Sequence, residues 1–347
     1  MPITKISCDE LLELREKLPV LDVRSPGEFQ KAHIPSAFSF PIFSNEERHI
    51  IGTTYKQESR EKAIKIGLDF FGKKMVPLVE EAERVCADKK KEVIVHCWRG
   101  GMRSAAIAWL LDLYGFKIFL LSGGYKGFRR WVVPQFEKDY NLMILGGCTG
   151  ANKTGVLTEL ENNGELIIDL EKLAVHKGSA FGNLDLMPQP SQEHFENLLA
   201  LELYKKTKSD KPVWLESESQ RIGLINIPFS FHKKMVAAPL FYLDVPFEHR
   251  LALLVKQYGV YNKEKILNAI VRITKKLGGL ETKTAVNALL EDDVASCFSI
   301  LLKYYDKLYY RSLESGKKES RKIIEVPANN TDAKLNSNLI LNYVSTN

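Results

Sequence analysis

Cysteine is scarce in this chain: five in 347 residues, none with CxxC spacing. Cys8, Cys86, Cys97, Cys148 and Cys297 are too scattered for a zinc site or a disulfide framework, so a reducing cytoplasm is the expected setting. Long hydrophobic runs are lacking too. No stretch approaches the roughly 18 apolar residues that a membrane-spanning helix needs. The opening "MPITKISCDELLEL" has no basic segment followed by an apolar one, so neither a secretory signal nor a membrane partner is expected. Internal repeats with a period of about 20 to 50 residues are missing, which excludes solenoids and propellers. Charge of one sign is not in gross excess at +6 overall. Its location matters more: residues 251–322 hold 14 basic against 8 acidic side chains, a surplus equal to that of the whole chain. Such a basic surface suits a polyanion such as RNA, or is simply a solvated helical face.

With 45% hydrophobic and 27% charged residues, the chain has the composition of a globular protein able to bury a sizeable core. Its length suits two domains. Short β-rich runs alternate with helical patterns in the first third. "VLDVR" (20–24), "EVIVHC" (92–97) and "KIFLLSGG" (117–124) read as strands, and "MRSAAIAWLLDLYG" (102–115) reads as a helix. The pattern pauses around "GFRRWVVPQFEKDYN", where Pro134 marks a boundary. A second alternating series follows, with strands expected at "LMILGG" (142–147), "ELIIDL" (165–170), "PVWLES" (212–217) and "PLFYLDV" (239–245). From about residue 246 the chain reads as helical, returning briefly to a strand at "IIEV" (323–326). The expected fold class is α/β: a parallel-sheet domain over 1–135, then an α/β domain over 136–347 that contains a basic helical region, 246–322.

Two stretches carry chemistry. In "VIVHCWRGGMRSAAIAWLL" (93–111) a lone thiol, Cys97, lies between a strand end and a helix start. A thiol becomes nucleophilic as its thiolate, which helix N-terminal amides and nearby cations favour. Arg99 and Arg103 supply the charge, and Gly100 and Gly101 let backbone amides converge on one anion. Cys97, Arg99 and Arg103 are therefore the catalytic candidates, ahead of a merely buried cysteine.

The second stretch, "MILGGCTGANKTGVL" (143–157), is a strand, a glycine-rich turn and a helix. It approaches the phosphate-binding pattern GxxxxGK[ST], with Gly147 opening, Lys153 and Thr154 closing, and Asn152 where the last glycine should be. Asn tolerates the left-handed backbone that this position requires. Gly147, Thr149, Gly150, Asn152, Lys153 and Thr154 are candidates to hold phosphates, with Mg²⁺ possible at the hydroxyl. A carboxylate partner for that ion would be Glu216 or Asp169, both at expected strand ends. "HKGSAFG" (176–182) and "ESESQRIG" (216–223) add His176, Lys177 and Ser179, then Glu218, Ser219, Gln220 and Arg221, as residues expected to gather at the carboxyl edge of the second sheet. Arg250, Lys256, Arg272, Lys275 and Lys276, with Tyr258, Tyr261, Tyr304 and Tyr305 interleaved, are candidates for RNA contact, although the tyrosines also read as a packed helix face.

"LDVRSPGEFQKAHIPSAFSFP" (21–41) followed by "HCWRGGMRS" (96–104) resembles a rhodanese domain, whose loop cysteine carries a persulfide or perselenide. Asp22, Arg24, Glu28 and His33 fall in its upstream segment, where structural work is expected before catalysis. Joined to a P-loop domain, and with "HKGSAFG", "QPSQEHFENLL" (189–199), "ESESQRIGLINIP" (216–228) and "DVPFEHRL" (244–251), the chain resembles the tRNA 2-selenouridine synthases along nearly its whole length. That resemblance implies a transferase without a tightly bound cofactor. Its tRNA substrate would carry wobble 2-thiouridine. Geranyl diphosphate would first alkylate the sulfur, and selenium from selenophosphate, brought by a supplying enzyme, would then replace it. On the residues, the phosphate turn suits either the geranyl diphosphate or a nucleotide, and Phe181, Leu184, Leu186 and Met187 read as a slot for the geranyl chain or as ordinary core packing. Two other readings stay open on the residues alone: a sulfurtransferase fused to a small-molecule kinase or NTPase, and a non-enzymatic phosphate-binding scaffold.

Overall fold

The computed structural model describes residues 3–86, 90–177, 187–206, 208–259, 262–318 and 321–346, with side chains omitted at 312, 315–318 and 346. Two compact units are distinguished: Met1–Gln135 with Glu196–Leu198, and Phe136–Phe195 with Leu199–Asn347.

The first unit runs β1 (Thr4–Ile6), α1 (Cys8–Leu14), β2 (Val20–Asp22), α2 (Pro26–Lys31), β3 (Phe38–Ser39), α3 (Asn45–Gln57), α4 (Arg60–Gly72), α5 (Met75–Val85), β4 (Glu92–His96), α6 (Met102–Leu113), β5 (Lys117–Leu121) and α7 (Gly124–Gln135). Its five strands pair in parallel in the order β1-β5-β4-β2-β3. The apolar run of β4 is buried from Val93 to His96, as expected of a strand covered on both faces. Its core joins Leu21, Val95, Ile107, Leu111 and Phe116. After β2 the chain moves to one side of the sheet and after β4 to the other. A crevice therefore opens beyond their carboxyl ends, where Cys97 lies.

Three helices in this unit, α3 to α5, correspond to no expected element. Two of them begin at a capping serine: Ser44 accepts from the Glu47 N–H, and Ser59 from the Lys62 N–H. The chain divides one residue beyond Pro134, between Gln135 and Phe136, but the segment before it is helical rather than a pause in the pattern. Helix α7 continues through Pro134, because a proline in the last turn forfeits little of the hydrogen-bond ladder.

The second unit contains β6 (Leu142–Gly146), α8 (Lys153–Asn162), β7 (Leu166–Ile167), α9 (Leu170–Ala174), α10 (Gln192–Lys206), β8 (Val213–Glu216), β9 (Arg221–Ile222), β10 (Ile225–Asn226), α11 (Phe229–Ala237), β11 (Leu240–Asp244), α12 (Phe247–Tyr258), α13 (Lys263–Leu277), α14 (Gly279–Leu290), α15 (Val294–Lys318), β12 (Ile323–Pro327) and α16 (Ala333–Thr346). Its main sheet is also parallel, in the order β12-β11-β6-β8-β7, and β9 and β10 form a small antiparallel hairpin. The strand expected over 165–170 shrinks to two residues, because Asp169 turns the chain by capping α9. Helices α12 to α15 share their own apolar cluster, centred on Ile266, Ile270, Leu289, Phe298 and Leu302. Among the described residues no helix is long and apolar enough to cross a membrane.

Candidate active site

In the first unit the loop after β4 closes around the thiol. Cys97 is 3% exposed, and its Sγ accepts from the Gly101 N–H at 3.3 Å and the Ser104 hydroxyl at 3.2 Å. Burial pushes the thiol pKa up. The hydrogen bonds from the Ser104 hydroxyl and from the amides of Ser104, Arg99 and Gly101 outweigh that and bring it below the ordinary value. Burial drives Cys8 to about 12 and Cys297 to about 11, and raises Cys148, so of these four Cys97 is the thiol favoured for ionisation. The loop is clamped from beneath, where Tyr125 N–H donates to Cys97 O at 2.8 Å and Lys126 N–H to Trp98 O at 2.9 Å. A Cβ on Gly124 would lie 2.3 Å from Cys97 O, so only glycine lets the two segments approach.

The two arginines play different parts. Arg99 is exposed and contributes its backbone N–H to the thiol. Arg103 sends Nη1 to Glu28 at 2.6 Å, and Arg48 lies 3.8 Å from the same carboxylate. Glu28 thus balances part of the charge expected to serve an anion. The upstream residues do the structural work expected of them. Asp22 and Arg24 form a buried pair at 2.6 Å, Arg24 also donates to Ala32 O, and its guanidinium lies 3.9 Å over the Tyr125 ring. His96 is wholly buried 3.7 Å from Asp22, and desolvation lowers its pKa and keeps it neutral. His33 Nδ1 lies 2.9 Å from Phe29 O. Ser104 was not among the candidates, although its place in the first turn of α6 is a legible signal for a hydroxyl facing the loop.

Around the thiol loop lies a cavity of about 720 Å³, walled mainly by apolar side chains of α3, α4 and α6 and by Cys97, Arg99 and Arg103.

In the second unit a different cavity, of about 590 Å³, surrounds the turn between β6 and α8. Asn152 takes the left-handed conformation at φ 63°, ψ 36°, the geometry that a glycine usually fills. Lys153 Nζ donates to Gly147 O at 3.0 Å, the Thr154 hydroxyl donates to Glu171 at 3.3 Å, and Gly147 N–H donates to the Tyr309 hydroxyl at 2.8 Å. Gly147, Thr149, Gly150, Asn152, Lys153, Thr154, His176, Lys177 and Glu216 all line this cavity, as do Glu171 and Glu218. Asp169 lines it too but is occupied in capping α9, accepting from Lys172 N–H at 2.8 Å.

The electrostatics here are unusual for an anion site. Burial first, then Asp169 and Glu218, push Glu216 well above the carboxylate range. Glu218 is raised to about 7 by burial and by Glu171, against the pull of Lys153. Glu216 Oε1 accepts from Glu171 N–H at 2.8 Å, while among the described residues its buried Oε2 has no hydrogen-bond partner. His176 is held below its ordinary pKa by burial, and its Nδ1 likewise has none. Among the described residues no group of three His, Cys, Asp or Glu is placed to hold a metal ion.

Other candidates are placed elsewhere. Arg221 is exposed on the β9–β10 hairpin, donates to Gly223 O at 2.9 Å, and does not line the cavity. Ser179, Phe181, Leu184, Leu186 and Tyr261 lie outside the described residues, and Met187 is exposed. Arg250 is corrected as an RNA contact: it is buried, with Nη2 2.8 Å from Asp306 and Nη1 donating to Thr149 O, so it ties α12 to α15 and to the phosphate turn. Tyr258 is corrected as a base-stacking candidate, since it is buried and stacked on Phe298 at 5.5 Å. Tyr304 and Tyr305 pack partly into the same helical cluster. Lys256, Arg272, Lys275 and Lys276 are exposed.

Comparison with known proteins finds the same two-domain organisation. Residues 7–130 match the rhodanese-like domain, and residues 140–330 match the tRNA 2-selenouridine synthase AAA domain. Among curated proteins, tRNA 2-selenouridine synthase of Sulfurovum sp. strain NBC37-1 is 33% identical over 329 residues, 85% of this chain and 89% of the relative. The Marinobacter nauticus enzyme of the same name is 34% identical, covering 84% and 87%. That of Proteus mirabilis is 32% identical, covering 90% and 92%. A thiol whose pKa is lowered in one unit, a glycine-rich turn of P-loop-like sequence in the other and likeness along most of the length lead to one assignment: the chain belongs to the tRNA 2-selenouridine synthase family, tRNA-modifying transferases built from a rhodanese-like and a P-loop-like domain.

Proposed function

We propose that the chain converts wobble 2-thiouridine of tRNA to 2-selenouridine in two steps, each served by one of the two sites. In the first, the 2-thio sulfur attacks the allylic carbon of geranyl diphosphate. A C–S bond forms, the C–O bond to diphosphate breaks, and the N3 proton of the base is released. In the second, selenium of selenophosphate adds at C2 and geranylthiol departs. Water takes the phosphoryl group, so S-geranyl base, hydrogen selenophosphate and water give selenouridine, geranylthiol and hydrogen phosphate.

The observation that carries this reading is the pairing in one chain of a phosphate turn with a thiol whose pKa is lowered by hydrogen bonds. Backbone amides at the start of α8, together with Lys153, suit two linked phosphates, whichever group those phosphates carry. Mg²⁺ would be held there by Thr154 and the Glu216 oxygen that has no partner among the described residues, since this ion favours one or two carboxylates plus phosphates. It would neutralise the leaving diphosphate. Cys97 positions the selenium nucleophile, and Arg99 meets the anionic donor. A separate selenophosphate-producing enzyme supplies the donor, and the cytoplasm, where tRNA resides, is the setting.

The test uses tRNA bearing wobble 2-thiouridine with wild-type protein and Cys97→Ala. Geranyl diphosphate and selenophosphate are given singly and together, and the digested nucleosides are weighed. The expected result is that Cys97→Ala forms the S-geranyl nucleoside but installs no selenium. Unchanged nucleoside masses with wild-type protein would discard the two-step reading in favour of the sulfurtransferase one.

A further inference from the structure

The cavity beside Cys97 is out of proportion to what a selenium donor needs. Selenophosphate is a small, wholly polar anion, whereas this hollow of about 720 Å³ is walled by Ile51, Ile64, Phe71, Tyr55, Leu68 and Met102. The last three are large apolar side chains left 54%, 61% and 56% exposed. Apolar side chains clustered in a concave site mark a binding surface rather than chance exposure. They come from α3, α4 and the first turn of α6, which also carries the loop that binds the thiol. The rim is of opposite character, with Arg48, Lys56, Arg99 and Arg103 all at the cavity wall. Arg48 and Arg103 share Glu28, whereas Arg99 and Lys56 have no carboxylate partner among the described residues.

An apolar hollow ringed by cations complements a molecule with a hydrocarbon chain and several negative charges. We infer that this cleft takes the geranyl chain of the S-geranylated wobble base, the rim cations meeting the flanking RNA phosphates. The inference rests on the two-step reading above and extends it to the second step. The chain buries its hydrocarbon along α3 and α4, which holds the C2–S bond at the loop of Cys97. Geranylthiol then departs into an apolar environment already fitted to it. The cleft thereby distinguishes the alkylated base from its 2-thiouridine precursor, so that selenium transfer follows geranylation.

The test measures binding of anticodon stem–loop RNAs to the full-length protein by fluorescence anisotropy. The wobble base carries S-methyl, S-dimethylallyl or S-geranyl 2-thiouridine. Affinity for wild-type protein rises with chain length, by roughly 30-fold from methyl to geranyl, a modest share of what full burial of about nine further carbons would give. Leu68→Glu and Met102→Glu reduce that ratio to about threefold or less. Both positions are exposed, and thermal melting checks that the variants fold. Leu113→Glu, on an exposed site outside the cleft, keeps the wild-type ratio. A wild-type ratio near one would overturn the inference, as would a ratio unmoved by Leu68→Glu and Met102→Glu, or one abolished by Lys153→Ala in the other unit. Nucleoside masses separate the two levels: if S-geranyl nucleoside forms and is converted to selenouridine while the ratio is flat, only the cleft assignment falls. If it never forms, the two-step reading falls with it.

Discussion

A thiol as buried as Cys97 should resist ionisation, since burial disfavours the charged form. Geometry wins here because the Ser104 hydroxyl and three backbone amides converge on the sulfur, and hydrogen bonds to a charged acceptor are the strong ones. The sign follows from the lowered pKa: Cys97 stays thiolate as pH falls below the range where an ordinary thiol protonates, and loses that form on passing its own lowered value. Iodoacetamide should therefore label Cys97 at a lower pH than Cys8, Cys148 or Cys297, as peptide mass mapping after a timed quench would show. Ser104→Ala removes the hydroxyl, moves the labelling midpoint of Cys97 upward and slows selenium transfer on the order of tenfold. A midpoint unchanged in Ser104→Ala would mean that the hydroxyl merely packs against the sulfur.

The turn between β6 and α8 is held among carboxylates, which sets its response to pH. Glu218, raised to about 7, is neutral below that pH and charged above it, a few side chains from Lys153, the lysine proposed to meet the diphosphate. Affinity for geranyl diphosphate, measured by isothermal titration across pH 6 to 8, should thus weaken as pH rises through about 7. Glu218→Gln should flatten the profile; the same slope in that variant would assign the titration elsewhere. Folding follows the same sign: a carboxyl with a raised pKa favours the fold at acidic pH, and that contribution is lost as pH climbs through about 7. The turn itself was legible, since a strand, glycines and Lys153-Thr154 follow one another in sequence, and Asn152 takes the left-handed backbone that its residue type allows. The carboxylates around it were only half legible. Glu216 and Glu218 were read in one segment, but Glu171 comes from another, and nothing local shows that it joins them or that Glu216 ends with an oxygen unpartnered among the described residues. Helices α3 and α4 escaped notice for a related reason. Tyr55 and Leu68 face a cleft, not a core, so the amphipathic period that reveals a helix is blurred. The Ser44 to Glu47 capping box was the overlooked signal.

Over the whole molecule, composition showed where the basic surplus lies but not which cations reach solvent. Arg250, a cation just ahead of that stretch, is buried against Asp306, where it joins α12 and α15, so its loss should lower stability rather than RNA affinity alone. Arg272, Lys275 and Lys276 are three and four residues apart on α13, share one exposed face, and are free to meet phosphates. Phosphate contacts release counterions, so each cation that touches the backbone steepens the fall of affinity with salt by somewhat under one unit of log–log slope. Replacing all three by Gln should reduce the slope for tRNA by roughly two and weaken binding of modified and unmodified tRNA alike, since such contacts carry no base information. Anisotropy titrations at several salt concentrations measure both quantities. An unchanged slope would clear α13 of RNA contact and direct attention to the cations around the Cys97 cleft, Lys56 and Arg99 first.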